Sequence, residues 1–191
     1  MPAMLLSDGL LGQMMEPVSF PEPVEKTSKP SWAACGHQDK RPHNVINSLY
    51  LKADQLERTV VERFARYAQV EAQEQRCQQY LCDDADYIVV AFGATARVSQ
   101  SAVDTLRAQG VKAGLLRPVT LWPFPKEAIR SHIPHAKGFL SVEMSMGQMV
   151  DDVRLTVEGK VPVGFFGRTG GVIPRPSEVV EAVMKMAGGD R

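Results

Sequence analysis

Glu143 ends the apolar run Gly138-Phe139-Leu140-Ser141-Val142. A carboxylate in that place loses water, so it is either paired or functional. Pairing is the expected state, with Arg117 and Arg168 as the candidate partners. Arg168 stands among Gly167, Gly170 and Gly171. Backbone N–H groups and a guanidinium that point together could hold an anion. Those glycines lead to Pro174 and Pro176 rather than straight into a helix, so a plain turn is the favoured alternative. Gly93-Ala94-Thr95-Ala96-Arg97 has one glycine where a dinucleotide fingerprint needs three. It reads as a strand-to-helix turn with Thr95 near the cap. Trp122 and Phe124 stand among Pro118, Pro123 and Pro125. Such an aromatic knot either plugs its own core or anchors an interface.

A nucleophile with its base is harder to assemble. None of His37, His43, His132 and His135 falls in a post-strand loop beside a Ser or Cys. His132 and His135 flank Pro134 with no Cys, Asp or Glu ligand close in sequence, and read as surface turn residues. Cys35, Cys77 and Cys82 form no C-x-x-C, so a cluster held by four local thiolates is excluded. Three widely spaced cysteines are no disulfide framework and fit a reducing cytoplasm. These residues describe a binding or assembly domain without a self-contained catalytic set.

The elements that must position them follow from periodicity. Residues 1–16 are apolar and Met-rich, and Ala3-Met4-Leu5-Leu6 reads as a strand end. Residues 17–52 form an arm carrying Pro17, Pro21, Pro23, Pro30 and Pro42, a density that favours extended backbone. Residues 53–82 lack Gly and Pro, and Leu56, Val60, Phe64 and Tyr67 make one helical stripe. Asp54 with Glu57 suits a capping box. From residue 83 to 191 apolar runs alternate with amphipathic stretches. Tyr87–Phe92, Val111–Leu116, Gly138–Val142 and Val161–Phe166 are the strands, each followed by a helix. That rhythm predicts an α/β fold: a mostly parallel sheet with helices on both faces. Ligands and partners of such sheets meet the loops at the carboxyl ends of the strands.

Composition narrows the function. Lys plus Arg total 22 and Asp plus Glu total 22, a balance that argues against a nucleic-acid partner. Hydrophobic residues at 44% and charged residues at 23% are those of a globular domain. No apolar stretch reaches the ~20 residues of a membrane span. The Met1–Leu11 segment lacks a basic leader and contains Asp8, so it reads poorly as a signal peptide.

Four pieces taken together resemble a known family. They are Tyr87-Ile88-Val89-Val90-Ala91-Phe92-Gly93, Gly114–Pro125 with its Arg117-Pro118-Val119-Thr120-Leu121-Trp122-Pro123, Val142–Val150, and Phe166-Gly167-Arg168-Thr169-Gly170-Gly171. Residues 86–186 resemble the transketolase C-terminal-like domain, and more closely the second domain of the alpha subunit of 2-oxoacid:ferredoxin oxidoreductases. The motifs look most like the 2-oxoisovalerate (3-methyl-2-oxobutanoate) branch, with the 2-oxoglutarate branch as runner-up. Upstream, Leu5–Gln13 resembles the end of the preceding domain, which binds the thiamin pyrimidine ring, and Arg41–Tyr50 the connecting segment.

The resemblance implies CoA-acylating oxidative decarboxylation of a 2-oxoacid with electrons passing to ferredoxin. It implies a thiamin-binding beta subunit and an iron–sulfur subunit as partners. Thiamin diphosphate, Mg and iron–sulfur clusters are expected on those subunits or on a missing first domain, with none bound by this chain alone. Ser7-Asp8-Gly9 is a poor match to the G-D-G of a diphosphate site. Residues 1–16 are then a remnant of the pyrimidine-binding domain. Arg117, Trp122, Glu143, Gln148, Arg168 and Gly170 fall in the matching loops, where subunit contact and site closure are the expected roles. The alternatives are a stand-alone module holding an anion at Gly167–Gly171, and an assembly element of a thiamin enzyme that uses no ferredoxin.

Overall fold

The β-branched and aromatic runs after Asp86 suit strands packed on both faces. The computed structural model of the protein describes residues 3–15, 17–23 and 36–188. Its strands are β1 (Cys77–Tyr80), β2 (Tyr87–Val90), β3 (Ala113–Pro118), β4 (Gly138–Glu143) and β5 (Val163–Gly167). Its helices are α1 (Ala53–Gln73), α2 (Gly93–Ala108), α3 (Lys126–Arg130), α4 (Met149–Val157) and α5 (Pro176–Gly188). The sheet runs β1-β3-β2-β4-β5, parallel throughout except that β1 is antiparallel to β3.

Successive strand residues point to opposite faces. Ile88 and Val90 therefore join Leu116 and Phe139 beneath α3 and α4, against Ile129, Val153 and Val157. Val89 turns the other way and joins Leu115 and Leu140 beneath α2 and α5, against Val103, Leu106, Val179 and Val183. The expected α/β architecture is thus three layers. α5 lies close over β4 and β5, with the flexible end of its Met186 side chain against Gly138 and Gly164.

Three expectations are corrected. The helix predicted over 53–82 stops at Gln73. Cys77–Tyr80 instead pairs with Pro118–Leu115, because ladder bonds and half-burial of Cys77 and Tyr80 outweigh a polar stretch's helical preference. Asp54 does not cap α1: Lys52 holds that position, without a side-chain cap bond. Ala3–Leu6 are exposed and lie in no strand. The arm has no regular structure in residues 17–23 and only a turn near Gln38–Lys40. Pro30 and Cys35 lie outside the described residues. No described residue before Cys82 is buried, so the core belongs wholly to the α/β layers.

Candidate functional site

The sheet order fixes where a site can form. The connection after β2 passes through α2 to β3 on one side, while β4 lies on the other side of β2. α2 packs on one face and α4 on the opposite face. The loops leaving β2 and β4 therefore part, and a crevice opens between them at the carboxyl ends. A cavity of about 530 Å³ lies there, lined by Phe92, Gly93, Thr95, Glu143, Ser145 and Gln148, among others. Leu6, Ser7, Asp8 and Leu11 roof it. Asp8 Oδ1 accepts the Leu11 N–H at 2.7 Å and shapes that roof into a tight turn.

Glu143 is the crevice's charged centre and is only 3% exposed. Its Oε2 accepts the N–H of Gln148 at 2.9 Å and of Met149 at 3.1 Å. Oε1 accepts the N–H of Val150 at 2.8 Å. The hydroxyls of Ser141 and Ser145 donate at 3.0 and 2.9 Å. Burial pushes this carboxyl's pKa up; the N–H groups of Gln148 and Val150, the Ser145 hydroxyl and the Met149 N–H outweigh it, and the net shift is downward. The N–H groups at the start of α4 thus receive a strand-end carboxylate as their cap, with the helix dipole in its favour. The expected ion pairs are corrected: the guanidinium of neither Arg117 nor Arg168 pairs with the Glu143 carboxylate. Arg117 Nη1 donates to Gln78 Oε1 at 3.3 Å, and Arg168 pairs with Glu178. A carboxylate with five donors has its lone pairs engaged and is an anchor for the 144–149 loop, not a free base.

The six candidate residues separate into three places. Glu143 and Gln148 share the crevice. Arg117 lines a neighbouring cavity of about 690 Å³, with Gln78, Gly93, Arg97, Gln100 and Ser101 on its walls. Trp122 is 57% exposed and meets the Tyr67 ring of α1 edge-on, with centroids 5.5 Å apart. Its neighbour Phe124 is buried, so the aromatic knot divides: one ring plugs the core and the other faces outward. Arg168 and Gly170 sit beyond β5, Arg168 over the Phe166 ring at 5.8 Å and Gly170 in a left-handed turn at φ +65°. Sequence reading missed Ser141 and Ser145, whose only signal is a hydroxyl two residues either side of a buried carboxylate.

His132 is not a surface residue: it is 5% exposed, and its Nε2 lies 2.8 Å from Gln79 Oε1. Burial, then the neighbouring His135, lowers its pKa. Burial pushes the thiols of Cys77 and Cys82 to about 12 and about 11. Thiols so poised are poor thiolate ligands. Among the described residues, no three His, Cys, Asp or Glu side chains come together as a metal site. No helix among the described residues is long and apolar enough to cross a membrane.

Residues 85–179 match the family described as pyruvate:ferredoxin oxidoreductase core domain II. The chain is 42% identical over 188 residues to ketoisovalerate oxidoreductase subunit VorB of Methanothermobacter thermautotrophicus, covering 98% of this chain and 53% of that one. It is 38% identical over 104 residues to 2-oxoglutarate synthase subunit KorA of Methanothermobacter marburgensis, covering 54% and 28%. The chain spans about half the length of the ketoisovalerate oxidoreductase subunits it matches. Two solved structures share the fold. One is a 2-oxoglutarate:ferredoxin oxidoreductase from Magnetococcus marinus, at TM-score 0.62 and 22% identity over 72% of this chain and 24% of that one. The other is a split-gene transketolase described as an inactive beta4 tetramer, at TM-score 0.52 and 20% identity over 61% and 42%. The α/β layers are transketolase-like, and through them the chain belongs to the 2-oxoacid:ferredoxin oxidoreductase family.

Proposed function

We propose that this chain is a subunit, or part of a subunit, of a ferredoxin-dependent oxidoreductase of branched-chain 2-oxoacids. The complete enzyme would carry out CoA-acylating oxidative decarboxylation. The observation that carries this reading is the 42% identity to VorB along 98% of the chain. The 2-oxoglutarate reading has weaker support, since KorA relatives match at 38% identity over 54% of the chain or at 29% over 95%.

The family is thiamin diphosphate- and iron–sulfur-dependent at the level of the complex. When bound, thiamin supplies carbanion stabilisation. Among the described residues no three His, Cys, Asp or Glu side chains gather, and we place both groups on a thiamin-binding beta subunit and an iron–sulfur subunit, or on a first domain outside this chain. This chain's own contribution is assembly and closure. Glu143 holds the 144–149 loop, and Gln148 at its end faces the crevice. Arg117 borders the adjacent cavity, and Trp122 presents an aromatic face for subunit contact. Arg168 and Gly170 shape the loop after β5. The stand-alone anion module loses its main support, because Arg168 is already committed to Glu178.

The test is reconstitution with the two partner subunits, followed by ferredoxin reduction with 3-methyl-2-oxobutanoate, 2-oxoglutarate and pyruvate in separate assays. Preference for 3-methyl-2-oxobutanoate is expected, with dependence on CoA. No complex with the partners, or preference for 2-oxoglutarate, would sink the branched-chain reading.

A further inference from the structure

The last strand of the sheet is open. Among the described residues β5 pairs with β4 alone and lies at the edge of the order β1-β3-β2-β4-β5. Two bonds fix which way its backbone faces: Phe139 N–H donates to Pro162 O, and Arg168 N–H donates to Glu143 O. Backbone groups alternate along a parallel strand. Even-numbered residues of β5 thus face β4, and Val163, Phe165 and Gly167 turn their N–H and C=O groups outward. Natural edges are blunted by a charge, a proline or a bulge. Val163-Gly164-Phe165-Phe166-Gly167 has none of these, and all five residues are half-buried.

We infer that this edge pairs with the same edge of a second copy of the chain, antiparallel about a twofold axis at Phe165. The register suits the backbone, because the outward-facing residues then meet one another: Phe165 its own copy, Val163 the partner's Gly167. Each such pair exchanges two ladder bonds. The charges on α5 suit it as well. β5 and α5 run in opposite directions, since Gly164 lies against Met186 and Arg168 pairs with Glu178. The stretch of α5 beside Phe165 therefore falls between Glu181 and Lys185, and both line the groove that α5 makes with this strand. A twofold there sets each Glu181 toward the partner's Lys185. An isologous contact of this kind needs self-complementarity, and a strand and a helix each supply it. This pairing is independent of the activity proposed above.

The experiment is sedimentation equilibrium of the full chain over a wide concentration range. A dimer is expected. Val163→Pro removes an outward donor while leaving the β4 ladder intact, and should abolish the dimer. Circular dichroism and melting check that the fold survives. If that variant does not fold, Glu181→Lys tests the same contact from α5. It should weaken dimerisation by about tenfold or more, and adding Lys185→Glu should restore it. A chain that stays monomeric at every concentration overturns the inference. So does a dimer whose dissociation constant neither variant changes, including one held through α1.

Discussion

The carboxylate of Glu143 accepts the backbone N–H of Val150 at 2.8 Å, across seven residues of chain. This one contact ties the end of β4 to the first turn of α4 and folds the intervening loop over the crevice. Glu143→Gln presents an amide donor to N–H groups that need an acceptor. We expect a stability loss of about 1–3 kcal/mol, larger for Glu143→Ala, measured by urea denaturation.

The same carboxylate sets an acid limit. Its folded-state pKa is below the ordinary 4.5, so the unfolded chain takes up the proton first as pH falls. Its stabilisation is complete above that ordinary value and is lost as pH falls through the lower folded one. Thermal midpoints of the wild type should drop in this range, and those of Glu143→Gln should drop less.

His132 acts at higher pH. Its pKa is lowered from 6.5, first by burial, then by the His135 ring, with Asp83 opposing. The fold thus holds a neutral ring that the unfolded chain would protonate below that value. Stability should decline as pH falls from 6.5 toward the folded-state value. Melting curves from about pH 7.5 to about pH 5.5 will show this slope, which His132→Gln should reduce.

Cys77 and Cys82 should be inert. With thiols raised to about 12 and about 11, little thiolate exists in the native protein at neutral or mildly alkaline pH. In a Cys35→Ser background, a thiol reagent should label neither residue natively and both after denaturation, read by intact mass.

α1 should open well before the sheet does. None of its 21 residues is buried, and the Tyr67–Trp122 ring pair is its aromatic contact with the α/β layers. Its amides should exchange with deuterium much faster than those of α2, whose Val103 and Leu106 are fully buried. Trp122→Ala should speed that exchange further while shifting global stability by only about 0.5 kcal/mol.

The sequence was most legible where burial on both faces leaves an unbroken apolar run. β2 and the later strands announce themselves that way, and the glycines at 110 and 159 mark the ends of their helices. It was least legible at the junction of α1 and β1. Gln73 to Gln79 contains no breaker, and only pairing with β3, about forty residues downstream, makes Cys77–Tyr80 a strand. At the site, the burial of Glu143 could be read from the strand it ends. Its partners could not, because the donors are chiefly main-chain N–H groups, which no side-chain identity encodes. His132 was misread for a related reason: its hydrogen-bond partner is Gln79, a neighbour only in space.

The placement of the core has a genetic consequence. Every buried residue among those described falls between Cys82 and Val183. A gene for this protein could be split, fused or recombined anywhere ahead of Arg76 without altering an interior side chain among the described residues. The layered domain is in that sense portable, and evolution can transplant it whole. What such a cut would sever is the short Leu6–Leu11 roof over the crevice and, where it falls after α1, the Tyr67–Trp122 ring contact.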